Sequence, residues 1–232
     1  MFRFIVNNHF FAIVAIVEIA FHSLVLNHVS AVEVQLPFDN RSLTQWTTAD
    51  GKPVESGWEV IDGVVHLKKE GRRVGHILTA SEYGDFSLEF EWKIAPGGNS
   101  GIKYRVQTYG KKVLGCEYQI CDDDAKKKPA PKNSAGALYD LYEPNASKRL
   151  NAAGEWNQAK IVVRGNQIEH WLNGQKIVSA TIGDDEWNQR ITKSKFNEVS
   201  DFSKIPRGKF MLTDHGSEVW YRNFVIELSN KK

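Results

Sequence analysis

Two neighbouring stretches constrain this chain most. Gly98-Asn99-Ser100-Gly101-Ile102-Lys103-Tyr104-Arg105-Val106-Gln107 and Gly115-Cys116-Glu117-Tyr118-Gln119-Ile120-Cys121-Asp122 both alternate with a period of two. That is the pattern of β-strands with one buried and one wet face. In the first, Ile102, Tyr104 and Val106 share a face, and Lys103, Arg105 and Gln107 share the other. In the second, Cys116, Tyr118 and Ile120 oppose Glu117, Gln119 and Cys121. A purely structural surface face tends to be Ser, Thr and Lys. Here the polar faces offer a guanidinium, an ammonium, a carboxylate and amides, which can grip the hydroxyls and carbonyls of a polar ligand.

The same period recurs along the chain. Residues 58–61 and 64–67 flank an Asp62-Gly63 turn and read as a hairpin. Phe86, Leu88, Phe90, Trp92 and Ile94 alternate with Ser87, Glu89, Glu91 and Lys93. Further strands follow at 160–164, 167–172 and 175–178, with turns at Gly165-Asn166 and Asn173-Gly174, and the set closes with 208–213 and 219–228. Many short strands with turn signals between them predict an all-β chain of two packed antiparallel sheets. Residues 122–131 are charged and contain Pro129 and Pro131, hence a loop; 184–197 reads as one short helix, with Asp184 and Asp185 at its N-terminus.

Composition excludes some functions. A net charge of +2, with scattered basic residues, gives no case for nucleic acid. The two cysteines, Cys116 and Cys121, have an odd separation on one strand and are not expected to bond each other. At the N-terminus, Arg3 precedes the apolar run 10–17, and Val29-Ser30-Ala31 offers small residues for cleavage. Residues 1–31 therefore read as a secretory leader, with an uncleaved anchor as the alternative because Glu18 and His22 interrupt the run. Residues 32–232 are then a single domain, secreted or periplasmic. No later segment reaches the ~18 consecutive apolar residues of a membrane span.

Several side chains could carry chemistry. Glu117 lies inside a strand, between residues that alternate with it, and is the strongest carboxylate candidate. Asp122-Asp123-Asp124 could hold a hard cation, or be a solvated loop neutralised by Lys126-Lys127-Lys128. His215, at a strand end beside Asp214, could ligate a metal or exchange protons. His170 shares a face with Ile168 and Leu172 and reads as a core histidine; His66 and His76 have no distinctive context. Among the seven tryptophans most read as core, but Trp220-Tyr221-Arg222-Asn223 could line a cleft. There is no Gly-rich phosphate loop, His-Glu-x-x-His, Gly-x-Ser-x-Gly or glucanase-type Glu-x-Asp-x-x-Glu run.

Taken in order, a longer set of motifs resembles the 3-keto-disaccharide hydrolase domain family. They are Phe38-Asp39, Trp58-Glu59-Val60-Ile61-Asp62-Gly63, Gly97-Gly98-Asn99-Ser100-Gly101, Glu117-Tyr118-Gln119-Ile120, Gly136-Ala137-Leu138-Tyr139-Asp140, Gly154-Glu155-Trp156-Asn157, His170-Trp171-Leu172-Asn173-Gly174, Ser194-Lys195-Phe196 and Asp214-His215-Gly216. The one departure is Cys121, where the family usually has an aliphatic residue. The resemblance implies a jelly-roll sandwich of the concanavalin A-like lectin/glucanase type and cleavage of sugars already oxidised at C3. It implies Glu117, His215 and Asp214 as catalytic residues, and Asn99, Arg105, Gln119 and Arg222 as substrate-binding residues. A divalent metal held by Glu117, Asp122 and His215 is the implied electrophile. The partner is an oxidised oligosaccharide or glycoside. A non-catalytic, lectin-like module is the competing reading, because fold does not decide function.

Overall fold

Apolar alternation folds the chain into two antiparallel sheets packed face to face, the jelly-roll sandwich the sequence predicts. The computed structural model describes residues 34–35 and 42–229; the expected leader at 1–31 and the Phe38-Asp39 pair lie outside the described residues. In chain order the strands are β1 (Val34–Gln35), β2 (Trp46–Thr48), β3 (Trp58–Ile61), β4 (Val64–Leu67), β5 (Ile77–Thr79), β6 (Phe86–Ile94) and β7 (Asn99–Tyr109). Then come β8 (Lys112–Cys121), β9 (Asn157–Arg164), β10 (Gln167–Leu172), β11 (Gln175–Thr181), β12 (Lys209–Leu212) and β13 (Val219–Leu228). One sheet runs β11-β10-β9-β6-β13-β4-β3 with β1 also on β13; the other runs β2-β5-β12-β7-β8.

The core lies between the sheets. Phe86, Leu88, Phe90, Trp92 and Ile94 from β6 are buried against Ile102 and Tyr104 from β7, and Tyr118 and Ile120 from β8. Each fully buried side chain of this kind contributes roughly 1.5–3 kcal/mol. The sheets are also pinned by a polar tie. His170 on β10 donates from Nδ1 to the Gly136 carbonyl (3.0 Å), so its Nε2 must accept from the Tyr104 hydroxyl (2.9 Å). Burial pushes this imidazole down to about 4, which keeps it neutral in that role. The tie fixes the segment 135–139, which runs along β8 through Gly136 N to Gln119 O (2.8 Å) and Tyr139 N to Glu117 O (3.0 Å). That segment covers what would otherwise be a bare sheet edge.

The helix α1 spans Asp185–Thr192, shorter than the stretch 184–197 read from sequence. Asp184 caps it by accepting from Trp187 N (2.7 Å), and buried Trp187 anchors it. Past Thr192 the chain leaves the helix, and the next turns carry Ser194, Lys195 and Phe196.

One expectation about β7 is corrected. Its alternation breaks at a bulge between Tyr104 and Gln107, where Arg105 takes a φ of 49°. The extra residue sends Val106 to the outer face, beside Leu78 and Met211, and turns Arg105 away from the Lys103 row. Arg105 is 2% exposed; it donates to Gly165 O (2.7 Å) and lies 3.5 Å from Asp85. Periodicity alone cannot reveal an inserted residue. The bulge packs directly on Gly208, where an added Cβ would lie 2.6 Å from the Arg105 carbonyl carbon. Gly208→Ala should therefore overpack this crossing and cost about 1–3 kcal/mol, lowering the thermal midpoint by several degrees. An unchanged midpoint in a melting scan would refute this reading of the bulge.

Candidate active site

Strand register arranges polar groups in rows on the outer face of the five-stranded sheet. Leu78, Met211, Lys103 and Glu117 are successive cross-strand partners on β5, β12, β7 and β8. The adjacent row contains Thr213, Gly101 and Gln119: Thr213 N donates to Gly101 O (3.0 Å), and Gly101 pairs with Gln119. At the ends of the strands, Gln119 Nε2 donates to Asn99 Oδ1 (2.8 Å). Continuation past β5 brings in His76, and continuation past β12 brings in Asp214 and His215.

Gly101 makes room for Glu117. A Cβ at Gly101 would lie 2.5 Å from Glu117 Oε1, so the carboxylate occupies the space that a side chain would fill. Glu117 is 5% exposed, yet it faces away from the apolar core. Lys103 Nζ lies 3.9 Å from its Oε2. From above, Lys195 reaches over the Tyr139 ring, 4.1 Å from its centroid. Lys195 is positioned through its backbone, because Lys195 N donates to Asp140 Oδ2 (2.8 Å) and Asp140 is held by Lys132 (2.6 Å).

These surroundings set protonation. Desolvation raises the Glu117 carboxyl above the usual carboxylate range, although the charges of Lys103 and Lys195 pull the other way. Desolvation lowers the Lys195 ammonium, opposed by Glu117 and assisted by Lys103. Both histidines are lowered: His76 by burial and Lys103, His215 by burial, then by His76 and Lys103. Their rings meet edge to face at 5.7 Å. Asp214 N–H donates to His76 Nδ1 (2.9 Å), so in the neutral ring the proton sits on Nε2. Perturbed groups gathered in this way mark a functional site.

Not every residue named from sequence meets here. Glu117, Gln119, Asn99 and His215 belong to this face. Asp214 lies beside them, but its carboxylate is taken by Arg73 (2.7 and 3.0 Å) and Gly216 N (2.9 Å). Burial alone would raise that carboxyl; the Arg73 fork holds it below the usual range. Asp214 thus positions His76 through its backbone. Arg105 points to Asp85 and Gly165, as described. Arg222 lies on the other sheet, bonded to Glu91 (2.8 Å), its guanidinium 4.0 Å from the centroid of the Trp156 ring. Asp122 ties a turn, accepting from Gly97 N (2.8 Å) and Asp124 N (3.0 Å). Glu117, Asp122 and His215 therefore do not converge, and among the described residues no three His, Cys, Asp or Glu side chains are placed to hold a metal ion.

Sequence reasoning missed His76, Lys195 and Tyr139 as site members. Lys195 and Tyr139 stood inside recognised motifs, but only the fold shows that both loops close over β8. Lys103 was visible on the polar face, beside Glu117 by register.

The fold is that of a galectin-like β-sandwich. A Bacillus subtilis protein of unknown function with a galectin-like fold superposes with a TM-score of 0.51 at 10% identity, covering 82% of this chain and 92% of that one. The family is more specific. Residues 33–227 match the 3-keto-alpha-glucoside-1,2-lyase-like domain, and the chain belongs to that family. A 3-keto-disaccharide hydrolase of Bacteroides thetaiotaomicron is 27% identical over 227 residues, 82% of this chain and 77% of that protein. The structure of a candidate glycosyl hydrolase from Parabacteroides distasonis is 32% identical with a TM-score of 0.77, covering 85% and 94%. The chain is an enzyme of the glycoside hydrolase type.

A raised carboxyl in the fold has a thermodynamic consequence. Between the unfolded value of about 4.3 and its higher folded value, native Glu117 binds more protons than the unfolded chain. This residue's contribution to stability therefore falls as pH rises through that window, and its ionisation is destabilising above it. Glu117→Gln, which mimics the protonated acid, should melt higher than the wild type at pH 7.5 and show no advantage at pH 4. Thermal scans at the two pH values check this; a destabilised variant at pH 7.5 would contradict it.

Proposed function

We propose that this enzyme cleaves 3-keto-glycosides and 3-keto-disaccharides by elimination followed by hydration. The observation that carries the proposal is a buried carboxylate, Glu117, with a raised proton affinity, flanked by two ammonium groups on one polar face. A ketone at C3 acidifies the hydrogen on C2. Glu117 takes that proton, and the C–H electron pair moves to form the C2–C3 enolate. A base with raised affinity is better matched to this transfer near neutral pH than an ordinary carboxylate. Lys103 and Lys195 stabilise the negative charge that develops on the C3 oxygen.

The enolate then expels the C1 substituent. The C1–O bond breaks, a C1–C2 double bond forms, and the departing oxygen takes a proton. In this reading His215, exposed beside the site, supplies it. His76 Nε2–H stands beside it as a hydrogen-bond donor to the departing oxygen. Water then adds at C1, giving its proton to His215 and so restoring it, and a proton returns to C2 from protonated Glu117. The sum is one water consumed, one glycosidic bond broken and no net oxidation. In this reading Gln119 and Asn99, bonded to each other, hold sugar hydroxyls.

The partner is an oxidised oligosaccharide or glycoside. A leader at 1–31 would deliver the enzyme outside the cytoplasm. This reading is tested by assaying Glu117→Gln on a 3-keto-disaccharide, with the unoxidised disaccharide as control. Loss of general base catalysis predicts a fall in kcat of about 10²–10⁴. Wild-type turnover on the oxidised sugar alone is expected. Undiminished turnover by the variant would remove Glu117 from the mechanism, and equal cleavage of the unoxidised sugar would remove the ketone.

A further inference from the structure

The outward face of the eight-stranded sheet carries a groove of about 380 Å³, on the opposite side of the sandwich from Glu117. Glu89 and Glu91 from β6, Gln158 and Lys160 from β9, Trp171 from β10 and Asn223 from β13 line it. Two bulges border it. The register of β13 against β6 shifts between Arg222 and Val225, where Asn223 takes a φ of 53°, and β10 shifts against β11 at His170 and Trp171. Bulges re-aim side chains. Here they sit at an amide on one side of the groove and an indole on the other.

We propose that this groove is a second saccharide-binding site, which takes neutral oligosaccharides independently of the catalytic face. Its charges are already paired. Lys160 holds Glu89 (2.8 Å), Arg222 holds Glu91 (2.8 Å), and Lys176 holds Glu169 (2.9 Å). A phosphate or other ionic ligand finds no free charge there. The paired carboxylates keep further lone pairs, and Gln158 and Asn223 bring amides, a set suited to hydroxyls. Asn223 Nδ2 is itself oriented by Glu91 Oε1 (2.9 Å). The half-buried Trp171 is steadied by its Nε1–H donating to Glu169 Oε2 (2.9 Å), which makes it a rigid apolar platform for the C–H face of a pyranose. The volume is that of a small-ligand site.

The test uses the purified full chain titrated with maltohexaose and cellohexaose in a calorimeter. Binding of at least one with a Kd of about 1 mM or tighter is expected. Trp171→Ala and Asn223→Gly should each weaken it about tenfold or more; glycine accepts the φ of residue 223, so the second variant removes only the amide. Both variants should keep wild-type turnover of a 3-keto-disaccharide, and Glu117→Gln should bind the hexaoses as the wild type does. No binding of either sugar, or binding lost in Glu117→Gln and kept in Trp171→Ala and Asn223→Gly, would overturn the proposal. Failure of the elimination chemistry alone would leave these binding results unchanged.

Discussion

The pairing of β7 with β8 governs the rest of this structure. Lys103 opposite Glu117, and Gly101 opposite Gln119, put a carboxylate over a backbone with no side chain beneath it. A slip of one residue would exchange this face for Tyr118 and Ile120 and expose the core. The same register that buries Tyr104, Tyr118 and Ile120 between the sheets therefore keeps Glu117 and Lys103 outside it. Packing and chemistry are two sides of one ladder.

The site is completed by chain far away in sequence. The segment 135–139 lies along β8, anchored through Gly136 to His170 on the other sheet. It presents Tyr139, and Asp140, the next residue, holds the backbone of Lys195. This cover buries Glu117 without making it part of the apolar core. Burial is what raises its proton affinity, and the two lysines restrain that rise. An ionised carboxylate kept in such a place costs stability that an amide would recover, a common trade between function and stability.

Much of this was legible in the sequence, for particular physical reasons. The alternation of β6, β7 and β8 gave the sandwich, and the Asp62-Gly63 and Asn173-Gly174 turns gave the hairpins. Glu117 and Gln119 stood out because polar groups of that kind are unusual on a solvated sheet face, His215 because it follows Asp214 at a strand end, and Asn99 through the family resemblance alone. Arg105 was misread because a bulge inserts one residue and no periodicity encodes it. Arg222 was misplaced because a strand pattern does not say which sheet the strand joins; β13 pairs with β6 and β4, on the far side. His76 carries no local signal, and Lys195 sits in a motif whose role shows only when tertiary closure brings its loop over Tyr139.

The most direct measurement is the fate of the hydrogen on C2. When a 3-keto-disaccharide deuterated at C2 is cleaved in H₂O, cleavage should be slowed by a primary isotope effect of about two- to sevenfold, because the C2–H bond breaks on elimination. Cleavage at the same rate for both isotopes, with the C2 label fully kept in the product, would mean direct displacement at C1, and would contradict a role for Glu117 as the base that opens the reaction.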